Sequence, residues 1–269
     1  MSFCPQCVQG VRHEGTPEGK FETIGGVKTY IALPTTDYPK DKAILFLTDV
    51  FGLDLPNNLL LADDYARNGF QVYAPDLFDG DPVPADRLGP NVRFPSSSPN
   101  SDVHTHLDMT QGDFDMTKWR PKHGIDASQP VVEAVVAALK AQGVARLGAI
   151  GFCYGARHVF DLAFEHEIHV AVGNHPSLLQ LEDFDTYAQK AVAPLLLNTC
   201  EVDAQFPPEK QAKADAVLGG GKFAPGYERK YFAGCSHGWS VRGDMSDPVV
   251  KAAKEEAFKG SVEWFIKHL

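Results

Sequence analysis

The stretch LGAIGFCYGARHVF, residues 147–160, decides how this chain is read. Its apolar first half closes a strand expected over Ala145–Gly151, and its second half belongs to a helix expected over Ala156–Glu165. Between them lies Gly151-Phe152-Cys153-Tyr154-Gly155. Small residues two positions either side of a central cysteine suit a sharp strand-to-helix turn, where a larger flanking side chain would meet backbone. This is the G-x-S-x-G spacing of a nucleophile elbow, with sulfur in place of oxygen. A helix that begins at such a turn points its N-terminus at Cys153, which favours a thiolate. The N–H of Tyr154 can then face a developing oxyanion. A lone cysteine is commonly just a small buried hydrophobe, so the reading depends on partners elsewhere in the chain.

On both sides of the elbow, short apolar runs alternate with helical patterns. Strands are expected over Val27–Leu33, Ala43–Leu47, Phe70–Ala74, Ile168–Gly173, Pro194–Thr199 and Tyr227–Phe232. Helices are expected over Asn57–Asn68, with Asn57 as cap, and over Gln129–Gln142, Glu182–Lys190 and Glu209–Leu218. A final helix follows the Asp247 cap and Pro248. Residues 1–20 look like an irregular arm. Residues 76–127, rich in Pro, Gly, Ser and Asp, look like a long loop or lid region with a short helix near 112–120. The alternation implies an α/β fold in one domain spanning 1–269: a mostly parallel central sheet with helices on both faces. Chemistry in such sheets gathers at the carboxyl ends of the strands.

The chain has 269 residues and a formal net charge of −10. That charge argues against nucleic acid and anionic membrane surfaces as partners, since both are polyanions. No apolar run reaches the roughly 18 residues of a membrane span. The start, MSFCPQCVQGVRHEG, lacks the basic-then-apolar pattern of a secretory signal. Five cysteines, an odd number, with no such signal fit free thiols in a reducing, cytoplasmic setting.

A nucleophile needs a base and an acid that orients it, and in this fold class they follow in the chain order nucleophile, acid, histidine. Asp203, in LLLNTCEVDAQFP (195–207), stands just beyond a strand end, with Glu201 as its rival. His237, in YFAGCSHGWSVRGD (231–244), follows the last strand in a Gly- and Ser-rich loop. His175 also follows a strand end and competes with it, but it precedes Asp203 and breaks the order. His158, His166 and His169 read as packing or surface residues. His104, His106 and His123 lie in the long loop, where they could line a pocket.

These residues carry a resemblance. The strings LTDVFGLDLPNN (47–58), LLADDYARNGFQVYAPDLFDGD (60–81), IGFCYGA (150–156), NTCEVDAQFP (198–207) and CSHGWSVRGD (235–244) are similar to the dienelactone hydrolase family, in its eukaryotic and fungal-type branch. The resemblance covers nearly the whole chain. It implies an α/β-hydrolase fold, a Cys153–His237–Asp203 triad and hydrolysis of an ester or lactone bond of a small molecule through an acyl-cysteine. It places Asp49 where bacterial members carry a glutamate that switches on the thiol, here one methylene shorter. It maps oxyanion donors to the N–H groups of Val50 and Tyr154, and a substrate-carboxylate contact to Arg242, with Arg87 and Arg93 as guesses for a second arginine. Trp239, Phe78, Trp119 and Phe206 are candidates for an aromatic-friendly pocket. No cofactor and no metal are implied, and the protein is expected to be a monomer or homodimer.

Three other readings stand beside this one. Cys4-Pro5-Gln6-Cys7, with His13 nearby, is a C-x-x-C pair that would suit metal or redox chemistry, but a single pair is a weak signal. The same fold can serve a non-hydrolytic step such as dehydration, cyclisation or C–C cleavage. It can also persist as a non-catalytic binder of small molecules.

Overall fold

The computed structural model describes residues 10–84 and 114–269. Among these, strands β1 (Lys20–Ile24), β2 (Val27–Ala32), β3 (Lys42–Leu47), β4 (Gln71–Pro75), β5 (Arg146–Phe152), β6 (Val170–Asn174), β7 (Leu195–Val202) and β8 (Tyr227–Ser236) form one sheet in the order β1-β2-β4-β3-β5-β6-β7-β8. The pairs β1–β2 and β2–β4 are antiparallel, and every pair from β4 across to β8 is parallel. Helices α1 (Pro56–Arg67), α7 (Trp239–Arg242) and α8 (Pro248–His268) pack with one another. Helices α3 (Ile125–Ala141), α4 (Gly155–Phe164), α5 (Leu181–Lys190) and α6 (Pro208–Leu218) form a second, contiguous series. The sheet is thus covered on both faces, as parallel strands buried on both sides require.

Chain direction across the sheet reverses at its centre. From β3 the chain steps outward to β4 on one side, and then adds β5, β6, β7 and β8 in turn on the other side, all of these strands remaining parallel. The carboxyl ends of β3 and β5 are therefore adjacent at the switch point, where parallel sheets open a crevice for ligands. Core rings hold α1 and α8 against this centre: Tyr65 meets Phe258 at 4.8 Å and Phe46 at 6.3 Å between centroids.

Several boundaries differ from expectation. Lys20–Ile24 form a strand that was not expected, of which only Lys20 falls within the expected arm. Gly25 and Gly26, at φ 59° and 84°, make the tight turn that returns it onto β2. Helix α1 begins at Pro56 and is capped by Leu55, because a proline at the first position has no N–H to leave unpaired. Asn57 is thereby freed to donate from Nδ2 to the Val241 carbonyl at 2.8 Å, tying α1 to α7. Helix α3 opens a turn early, so Pro130 lies inside it. The short helix expected near 112–120 is α2, Met116–Trp119. Residues 85–113 of the long loop, with Arg87, Arg93, His104 and His106, lie outside the described residues, as do Cys4 and Cys7. No helix of the described residues is long and apolar enough to cross a membrane.

Candidate active site at the strand ends

Cys153 sits at φ 50°, in the left-handed region that costs a non-glycine residue about 1–3 kcal/mol. Its N–H donates to the Asn174 carbonyl at 3.0 Å, and its own carbonyl accepts from Ala156 at 3.2 Å and Ser177 at 3.0 Å. The flanking glycines are needed for close approach. A Cβ on Gly155 would lie 2.1 Å from the Leu47 carbonyl oxygen, and one on Gly151 would lie 2.5 Å from that of Gly155. The elbow is thus pressed against the Leu47 and Thr48 backbone at the end of β3, the segment that leads into Asp49 and Val50.

The bulged edge of β7 against β8 positions the next two groups. The His237 N–H donates to the Val202 carbonyl at 3.0 Å, and His237 Nδ1 lies 2.9 Å from Asp203 Oδ1. The same carboxylate oxygen accepts the N–H groups of Gln205 at 2.8 Å and Phe206 at 3.0 Å, which hold the buried Asp203 in one orientation. Charge also acts between His237 and the Cys153 sulfur. Neither ring nitrogen completes a hydrogen bond of ordinary geometry among the described residues. Glu201, the rival acid, is exposed and accepts from the Gly234 N–H at 2.8 Å.

The electrostatics favour charge separation. Burial pushes the Cys153 thiol up, but the His237 and Arg242 charges and the hydrogen bond from Ser177 outweigh it, and the thiol ends below its ordinary value. Burial pulls the His237 imidazole down, while Cys153 and Asp203 carry it above its ordinary value. The rival histidine, His175, is fully buried at φ 34°. Its ring packs edge-on against His237 at 5.0 Å and Trp239 at 5.3 Å, and neither nitrogen has a hydrogen-bond partner among the described residues. Burial, then the His237 and Arg242 charges, hold His175 well below the usual histidine range, so it backs His237 as a neutral ring.

Asp49 does not pair with the thiol. Its Oδ2 accepts from Arg242 Nη1 at 2.8 Å, and its Oδ1 accepts from Asn58 Nδ2 at 3.1 Å and the Phe51 N–H at 3.2 Å. The N–H groups of Val50 and Tyr154 have no protein acceptor among the described residues. Phe78 packs on Trp119 at 5.3 Å and Tyr154 at 5.2 Å, and Trp119 stacks on His123 at 4.5 Å. Phe206 is wholly buried against Phe184, and Trp239 is buried against Phe232 and His175. Both therefore back the site rather than open onto solvent. His13 lies 3.0 Å from Glu255, and no cluster suited to a metal ion occurs among the described residues.

Sequence reasoning missed two groups of residues here. One is Ser177, whose Oγ lies 3.2 Å from Cys153 Sγ; it follows the end of β6, and the strand-end rule could have flagged it. The other is a buried chain behind the elbow. Tyr154 Oη lies 2.6 Å from Ser128 Oγ, which lies 2.8 Å from His158 Nε2, and His158 Nδ1 lies 3.0 Å from Gln129. No local signal marks that chain, since its members come from two helices and a turn.

Comparison with known families adds to this geometry. The model of the dienelactone hydrolase family matches residues 27–269. The chain belongs to the dienelactone hydrolase family. As a member, it is similar to hydrolase pyvD of Aspergillus violaceofuscus, 31% identical over 98% of this chain and 96% of the relative. It is also similar to Dienlactone hydrolase 1 of Gibberella moniliformis, 30% identical over 96% of this chain and 91% of that one. In fold it matches a Klebsiella pneumoniae protein provisionally assigned as a dienelactone hydrolase, with a TM-score of 0.67 at 18% identity over 93% of this chain and 98% of that one. The α/β-hydrolase fold expected for a dienelactone hydrolase family member is the fold observed.

Proposed function

We propose that this member of the dienelactone hydrolase family hydrolyses an ester or lactone bond of a small molecule, with Cys153 as nucleophile, His237 as base and Asp203 as its orienting acid. The observation that carries this reading is His237 standing between the sulfur and the carboxylate, with Nδ1 2.9 Å from Asp203.

The thiol proton passes to His237, and the thiolate attacks the carbonyl carbon. The N–H groups of Val50 and Tyr154 receive the oxyanion, each donor being worth about 3 kcal/mol in such sites. The leaving oxygen takes the proton from His237, which leaves a thioester on Cys153. His237 then draws a proton from water, the hydroxide adds to the thioester, and the acid departs as the thiolate is restored. Asp49 serves this sequence through Arg242, whose charge favours the thiolate. Phe78 packs on Tyr154 and Trp119 packs on Phe78, so these buried rings brace the elbow, while Phe206 and Trp239 support Asp203 and His175. Free Cys153, Cys200 and Cys235 thiols fit a reducing, cytoplasmic location.

The test is a panel of lactones, esters and thioesters assayed with the wild type and Cys153→Ala. Turnover of at least one class that disappears in the variant supports the reading. Turnover retained in the variant removes the nucleophile, and no turnover at all by the wild type favours a binding protein.

A further inference from the structure

Ser177 belongs to neither the triad nor the oxyanion donors, yet it touches the sulfur. Two contacts tie it to the elbow: its N–H donates to the Cys153 carbonyl at 3.0 Å, and its Oγ lies 3.2 Å from Cys153 Sγ. Ser177 is buried, and the sulfur is the one hydrogen-bond partner of its hydroxyl among the described residues. The backbone that delivers it is strained on both sides, with His175 at φ 34° and Leu178 at φ 64°. Strain of that kind persists only where surrounding contacts over-determine it.

We propose that the Ser177 hydroxyl is a further catalytic group, donating a hydrogen bond to the Cys153 thiolate both when it attacks and when it departs. The inference rests on Cys153 being the nucleophile. A thiolate carries no proton, so the O–H must be the donor in the charged state. The thiol proton goes to His237, Ser177 keeps its own proton throughout, and no bond to Oγ forms or breaks. A thioester sulfur is a poor acceptor, so the bond weakens in the acyl-enzyme and returns as the tetrahedral intermediate of the second step expels the thiolate. Stabilising a thiolate lowers its intrinsic nucleophilicity less than proportionally, with a Brønsted coefficient of about 0.4–0.5. At pH values below the thiol's own, the larger thiolate fraction therefore prevails.

Other groups also bear on this sulfur and must be separated from Ser177. His237 follows β8 and Arg242 lies on α7, and both favour the thiolate. Asp203, beyond β7, and Asp49, beyond β3, pair with those two cations. His175, after β6, stays neutral. None of these changes when only the hydroxyl is removed.

The experiment is the pH dependence of iodoacetamide alkylation at Cys153 in the full-length protein, followed by mass spectrometry of the Cys153 peptide. The proteins compared are the wild type, Ser177→Ala and Ser177→Thr. The midpoint should rise by about one pH unit in the alanine variant, the size of a lost hydrogen bond to a charged group, and the threonine variant should stay near wild type. An unchanged midpoint in a folded alanine variant, or equal shifts in both variants, overturns the proposal. If the alanine variant does not fold, Ser177→Cys keeps the volume with a weaker donor; it should raise the midpoint by a smaller step, and no rise overturns the proposal. Alkylation needs no substrate, so this outcome is independent of whether Cys153→Ala abolishes ester turnover.

Discussion

Asp49 and Arg242 stand 193 residues apart in the chain and meet at 2.8 Å beside the elbow. The Asp49 side chain is fully buried, that of Arg242 is 12% exposed, and the guanidinium lies 4.9 Å from the Phe51 ring centre. The ion pair neutralises a carboxylate that would otherwise oppose the thiolate, and it fixes the cation that favours it.

Removing one member of such a pair leaves the other charge buried without compensation. Asp49→Ala is therefore expected to cost about 3 kcal/mol of stability. The Asp49→Ala/Arg242→Met double variant should cost clearly less than the sum of the single changes. Urea denaturation of the four proteins checks this, and simple additivity would show that the two side chains are not coupled.

The thiol lies below its ordinary value and the imidazole above its own. The thiolate–imidazolium pair is thus populated from the lowered thiol value up to the raised imidazole value. Activity should rise on an acid limb below pH 8.5, the ordinary thiol value of about 8.5, and fall only well above the ordinary imidazole value of about 6.5. In stability terms, the His237 contribution is complete below its unfolded value and is lost as pH rises through the folded one. The Cys153 contribution is lost as pH falls through its folded value. The pH profile of kcat/KM on an active ester checks the window, and His237→Gln should erase it.

Gly155 packs so tightly against the end of β3 that a methyl group there meets backbone, with a Cβ 2.1 Å from the Leu47 oxygen and 2.7 Å from that of Thr48. Gly155→Ala should cost at least about 2 kcal/mol and lower kcat, because Val50 moves with the strand end. Stability within experimental error of wild type would refute the contact.

His158 is buried behind the elbow, and burial first, then the Arg157 charge, pulls it down to about 4. Its folded value lies below its unfolded one, so between pH 6.5 and 4 the unfolded chain takes up a proton that the folded chain refuses, with 6.5 as the ordinary value. Stability should fall with acid in that range by up to about 1.4 kcal/mol per pH unit from this residue. Urea midpoints at pH 7 and pH 5 should converge in His158→Gln relative to wild type. An equal acid loss in both proteins would contradict this.

The elbow was legible because all its determinants lie within one short stretch, and the sheet followed from periodicity. Strand β1 was not, because an edge strand that exposes most of its side chains lacks the apolar alternation that marks a buried one. The chain order Cys153, Asp203, His237 could be read along the sequence, and the structure brings Asp203 and His237 within 2.9 Å. The Asp49–Arg242 pair, the Ser177 contact and the Tyr154–Ser128–His158 chain depend on distances across neighbouring elements, which no run of residues encodes. Phe206 and Trp239 look the same in sequence as Phe78 and Trp119. Only packing separates rings that support Asp203 and His175 from rings beside Tyr154.

The most direct measurement of the central claim is intact-protein mass spectrometry after rapid mixing with an activated ester or thioester. The account predicts an acyl adduct on the peptide bearing Cys153, transient in the wild type, longer-lived when His237→Gln slows deacylation, and absent in Cys153→Ala. Full turnover with no adduct on Cys153, or an adduct that persists in Cys153→Ala, would contradict it.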